Sequence, residues 1–111
     1  MAVDNFKMLH QSQSGTTAGA LYTVPANHET IIKGITLVNN DSEALWVTLF
    51  HTTGTTYSEA TPILPEITLL AGGFGEFDGT ITMDAADIIG GDAEQASEIT
   101  ITIYGDEIDV S

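Results

Sequence analysis

Apolar and polar residues alternate with a period of two along most of this chain. In Ile99-Thr-Ile-Thr-Ile-Tyr104 the isoleucines fall on one side and Thr100, Thr102 and Tyr104 on the other, as in a strand with one buried and one wet face. Residues 75–83 behave alike, with Phe77, Ile81 and Met83 opposite Glu76, Asp78, Thr80 and Thr82. The pattern predicts strands over 20–24, 30–39, 44–52, 66–70, 75–83, 87–89 and 98–104. Pro25, Ala26 and Asn27 make a corner between the first two, because Pro25 fixes its own φ and Asn27 tolerates a left-handed turn. Further breaks are expected at 39–42, 53–54, Pro62, Pro65, 71–73 and 90–92. No segment of helical length carries a 3.6-residue apolar repeat.

This spacing predicts an all-β chain, a single antiparallel β-sandwich or jelly roll of about seven to eight strands. Its core would hold Ile35, Leu37, Leu45, Val47, Leu49, Phe77, Ile81, Ile99, Ile101 and Ile103. A register slip of one residue would expose the isoleucines of the last strand, so the pairing has little freedom. Residues 1–19 read differently. Gln11-Ser-Gln-Ser-Gly-Thr-Thr-Ala-Gly19 is small, polar and non-periodic, which marks an extended N-terminal arm (1–19) ahead of the sandwich domain (20–111). The strand around Trp46 breaks the one-face rule: Leu45, Val47 and Leu49 share one side, Trp46 and Phe50 the other. Two roles fit it, a central strand covered on both faces or an anchor in an interface.

Charge narrows the partners. Sixteen acids stand against Lys7 and Lys33, with no arginine, for a net charge of −14. Phosphate neutralisation needs clustered cations, so nucleic acid is excluded as a ligand. The first forty residues hold two acids and both lysines, and the remainder holds fourteen acids and no base. No apolar run is long enough to span a bilayer, and the N-terminus lacks the pattern of a secretory signal. With no cysteine, disulfide and thiolate chemistry are absent.

Candidate chemistry is sparse. His10, His28 and His51 have no metal-ligand spacing, and no nucleophile elbow is present, so no catalytic residue is expected and the chain reads as a non-enzyme. Asp84, Asp87, Asp92 and Glu94 place four carboxylates within eleven turn-like residues, the oxygen-rich setting a structural Ca²⁺ or Mg²⁺ prefers; no other cofactor is expected. Trp46, Tyr57 and Tyr104 are the stacking candidates if the module binds carbohydrate.

Four segments, Leu-Tyr-Thr-Val-Pro-Ala-Asn (21–27), Leu-Val-Asn-Asn (37–40), Leu-Leu-Ala-Gly-Gly (69–73) and Ile-Thr-Ile-Tyr-Gly-Asp-Glu (101–107), occur in this order. Over roughly residues 20–108 the chain resembles small β-sandwich virion structural proteins of tailed bacteriophages. Relatives often open a strand with Gly-Asp where this chain has Asp84-Ala-Ala-Asp87. The resemblance implies a capsid decoration, or cement, protein on the capsid exterior of the virion. Its partners would be the phage major capsid protein and neighbouring copies of itself, in a homo-oligomer such as a trimer. A tail- or fibre-associated receptor- or carbohydrate-binding module is the alternative. The arm then supplies the expected interface through Phe6, Lys7, Met8 and Leu9, with Trp46 and Phe50 as further anchors, and 20–111 is expected to fold without it.

Overall fold

The computed structural model describes residues 6–17, 19–53 and 62–111. Among these it contains nine strands and no helix: β1 (Phe6–Gln13), β2 (Gly19–Thr23), β3 (His28–Asn39), β4 (Leu45–Thr52), β5 (Pro62–Leu69), β6 (Phe74–Phe77), β7 (Ile81–Met83), β8 (Ile88–Ala93) and β9 (Ile99–Asp109). They form two antiparallel sheets. Sheet A runs β1-β9-β3-β6 with β7 also on β3, and sheet B runs β2-β8-β4-β5. The expected sandwich is therefore present, with nine strands in place of seven to eight.

Between the sheets lie Ile35, Leu37, Leu45, Val47, Leu49, Ile99, Ile101 and Ile103, each no more than 1% exposed. Phe77 and Ile81 are only partly buried and pack against the rim of this core. Tyr22, Val24, Ile32, Leu69, Met83, Ile89 and Ala93 extend it. Each large side chain removed from water here contributes about 1.5–3 kcal/mol, which explains why alternation predicts most of the architecture.

Four local differences from the sequence pattern have physical causes. The segment expected to be an extended arm is, over 6–13, a strand on the edge of sheet A, paired with β9 from Phe6↔Asp106 to Gln13↔Thr100. Its polar residues gave no alternation because an edge strand lying beside a sheet satisfies its backbone without burying every second side chain. The expected strand 75–83 divides at Asp78-Gly79-Thr80 into β6 and β7, which pair with different parts of β3. Pro62 and Pro65 lie inside β5, tolerated because β5 is an edge strand with irregular pairing opposite 47–50. Gly90 and Gly91 lie inside the central strand β8; a Cβ on Gly91 would stand 2.6 Å from the Thr48 carbonyl oxygen, so this glycine marks a close approach, not a turn.

A bulge at Lys33 sets the faces of β3. The register to β9 shifts between Ile32 and Gly34. Beyond it Ile35, Leu37 and Asn39 point inward; before it the inward set is Thr30 and Ile32. Unbroken alternation would have turned Lys33 into the core. The bulge places it outside, where Nζ meets Asp106 Oδ2 at 2.8 Å. Gly105, opposite Ile32, permits the tight fit: a Cβ there would sit 2.1 Å from the Ile31 carbonyl oxygen.

Candidate interaction surface

Sheet A presents a broad outer face. Register and alternation place Gln13, Thr100, Val38 and Phe74 in one row across β1, β9, β3 and β6. The next row is Gln11, Thr102, Thr36 and Glu76, and a third brings Met8, Tyr104 and Gly34 together. Ten of these eleven positions are uncharged in a chain of net −14, and the one acid, Glu76, is on the β6 border. The polar groups are held in place: Gln11 Nε2 donates to Thr102 Oγ1 at 3.0 Å, and Asn40 Nδ2 to Thr100 Oγ1 at 2.9 Å.

Four of the five large apolar side chains left in water among the described residues gather around this face, the fifth being Val110 after β9. Phe74 is 69% exposed, Met8 53% and Val38 37%, and all three belong to the rows above. Leu70, 74% exposed, precedes Phe74 across the turn closed by the Gly73 N–H on the Leu70 carbonyl at 2.8 Å. Sequence reasoning missed Val38, Leu70 and Phe74. Extending the alternation of β6 back by one residue puts Phe74 outside with Glu76, and that signal was available.

Of the expected interface residues, Met8 joins the outer face of sheet A, whereas Leu9 turns inward at a bulge and packs on the core. Lys7 Nζ lies 3.5 Å from Glu107 Oε1, and Phe6 pairs through its backbone with Asp106. Trp46 and Phe50 share the outer face of sheet B, both half-buried, with Phe50 opposite Gly90. The structure therefore does not bring the six together on one surface. Tyr57 lies outside the described residues, and Tyr104 is half-buried on sheet A, away from Trp46 on sheet B.

Three of the four carboxylates proposed for a cation have separate engagements. Asp87 is buried and caps its own turn, Oδ2 accepting from the Asp84 N–H at 3.0 Å. Asp92 accepts from the Thr48 hydroxyl, and Glu94 Oε1 from the Trp46 N–H at 3.2 Å. No cluster of three or more His, Asp or Glu able to hold a metal occurs among the described residues.

Two buried polar sites hold the sandwich together. The Tyr22 hydroxyl on β2 donates to Glu107 Oε2 at 2.6 Å and lies 2.8 Å from Thr30 Oγ1, joining sheet B to two strands of sheet A. Burial, and then the Glu107 carboxylate beside it, raise the Tyr22 phenol well above its ordinary value of 10. At the opposite end, fully buried Asn39 donates through Nδ2 to the carbonyls of Glu43, Leu69 and Leu70 and accepts the Asp41 N–H at Oδ1. His10, next to the core on β1, is pushed below its ordinary 6.5 by burial.

No protein-family model matches the chain, and a search of curated proteins found no match. A chain in the acidic-stable capsid structure of Helicobacter pylori bacteriophage KHP30 superposes with a TM-score of 0.55 at 11% identity, covering 100% of this chain and 94% of that one. The fold resembles that of a phage capsid protein. A chain from the disulfide-linked pili of Bacillus endospore appendages superposes with a TM-score of 0.42 at 15% identity, over 96% of this chain and 88% of that one.

Proposed function

We propose that this chain is a non-enzymatic structural protein of a tailed-phage virion, a decoration or cement protein that binds the outside of the major capsid shell and stabilises it. The observation that carries the proposal is the end-to-end likeness to a chain of a phage capsid, which spans this whole chain and nearly all of the other. Two features agree with it. Three of the four carboxylates that might have formed a metal-binding cluster, those of Asp87, Asp92 and Glu94, accept backbone or hydroxyl hydrogen bonds of the fold. A broad sheet face with Glu76 as the single acid in its three central rows offers contact area to neighbouring proteins.

The test is reconstitution. Purified chain added to capsid shells that lack it should sediment with them, saturate at a fixed ratio to the major capsid protein and raise the temperature at which the shells rupture. Failure to bind shells, together with binding to isolated tails or to a glycan panel, would replace this proposal with the tail-associated alternative.

A further inference from the structure

A chain with fourteen uncompensated negative charges repels its own copies over most of its surface. The outer face of sheet A is different. From β1 to β3 the three rows described above carry no charge; charge on these strands lies beyond the Lys33 bulge, where the two lysines pair with Asp106 and Glu107 of β9. A basic partner would be drawn to the acids elsewhere on the surface and would gain nothing from a neutral face. An acidic partner has the opposite preference: it approaches without penalty only where carboxylates are absent. The acidic partner present at every encounter is a second copy of this chain. We infer that the outer face of sheet A is a self-association surface, on which two copies pack sheet to sheet through the rows containing Phe74, Val38, Thr100 and Gln13.

The physical properties of the face suit that role. Phe74, Val38 and Met8 supply apolar area at its two borders. Gln11, Thr100 and Thr102 already have hydrogen-bond partners within the chain, so covering them leaves fewer polar groups unsatisfied. Sheets pack face to face at roughly 10 Å, a distance that side chains of threonine and valine size fill from both sides. With neighbouring strands about 4.8 Å apart, the face covers on the order of 400 Å² per copy, half of what a tight complex buries. The association is therefore weak in solution, strengthened by salt that screens the remaining repulsion, and suited to copies held close together by a common support. It does not depend on the virion proposal, since it concerns the purified chain alone.

Sedimentation equilibrium of the full chain tests it. The expected result is a reversible dimer that tightens as salt rises toward roughly 1 M. Phe74→Glu and, at the other border, Gln13→Glu should each weaken the dimer by about tenfold or more, with circular dichroism unchanged. Thr68→Glu, on β5 of sheet B, should leave it intact. Both glutamate positions are exposed, so the variants should remain folded, and either one suffices for the test. A monomer at roughly 1 mM chain in roughly 1 M salt would overturn the inference. So would a dimer indifferent to both sheet A variants, or one abolished by Thr68→Glu.

Discussion

The Tyr22 hydroxyl donates to Glu107 Oε2 at 2.6 Å, a bond that crosses from β2 of one sheet to β9 of the other. Most of the sandwich is held by apolar side chains that attract without direction. This bond, with Thr30 at 2.8 Å, is directional and fixes how the sheets lie on each other. Tyr22→Phe should lower stability by about 1–2 kcal/mol, because Glu107 loses a buried donor. Urea denaturation of the two proteins side by side measures the difference.

The same pair sets an alkaline limit. The Tyr22 phenol is raised in the folded state relative to its ordinary 10, so the fold holds this proton more tightly than the unfolded chain does. The resulting stability is fully present below about pH 10 and is lost as pH rises above it toward the folded value. Urea midpoints between pH 8 and pH 11 should fall more steeply in the wild type than in Tyr22→Phe. Parallel curves would contradict the assignment.

Gly105→Ala should be among the most damaging single changes. The added methyl group would lie 2.1 Å from the backbone of Ile31, which cannot move without breaking the bulge that keeps Lys33 out of the core. A loss of roughly 3 kcal/mol is expected, seen as a large fall in melting temperature. Ala86→Gly should act in the opposite direction: Ala86 has φ 73°, left-handed backbone that disfavours any side chain, so relief of up to about 1 kcal/mol is expected.

At the other end of the core, Asn39→Asp should cost more than Asn39→Ala. Nδ2 faces the carbonyls of Glu43, Leu69 and Leu70, and an aspartate would set a carboxylate oxygen against all three. Alanine loses the bonds, at about 1–3 kcal/mol, whereas aspartate adds repulsion in a fully buried site. Melting temperatures in the order wild type, Ala, Asp check this.

Removing residues 1–19 separates two views of the N-terminal segment. As an arm it would be dispensable for folding. As β1 it covers one edge of β9, and buried Ser14 donates its N–H to the Ile99 carbonyl at 2.9 Å. Its loss should expose that edge and lower the melting temperature, with aggregation in place of a stable soluble domain. A truncated chain that melts like the full one would restore the arm.

The two-sheet core was legible because each buried strand announces itself by alternation, as in Ile99, Ile101 and Ile103. β1 was not, since a polar edge strand carries no such signal and reads as a linker. The close approaches at Gly91 and Gly105 were hidden as well: the sequence shows a glycine, and only the packed strands show what a side chain would strike. Trp46 and Phe50 were conspicuous by residue type, yet both are half-buried on sheet B, while the more exposed Phe74 and Leu70 flank a Gly-Gly turn. The hydrogen bonds of Asp87, Asp92 and Glu94 were not legible either, because proximity along a chain does not tell which backbone or hydroxyl donors each oxygen will meet.

A structural role on the outside of a phage capsid is tested by a cryo-electron microscopy reconstruction of the purified particle. The expected result is density for this sandwich repeated with the symmetry of the shell on its outer surface, with sheet A facing a neighbouring copy. Absence of the chain from the particle, or its confinement to the tail, would contradict it.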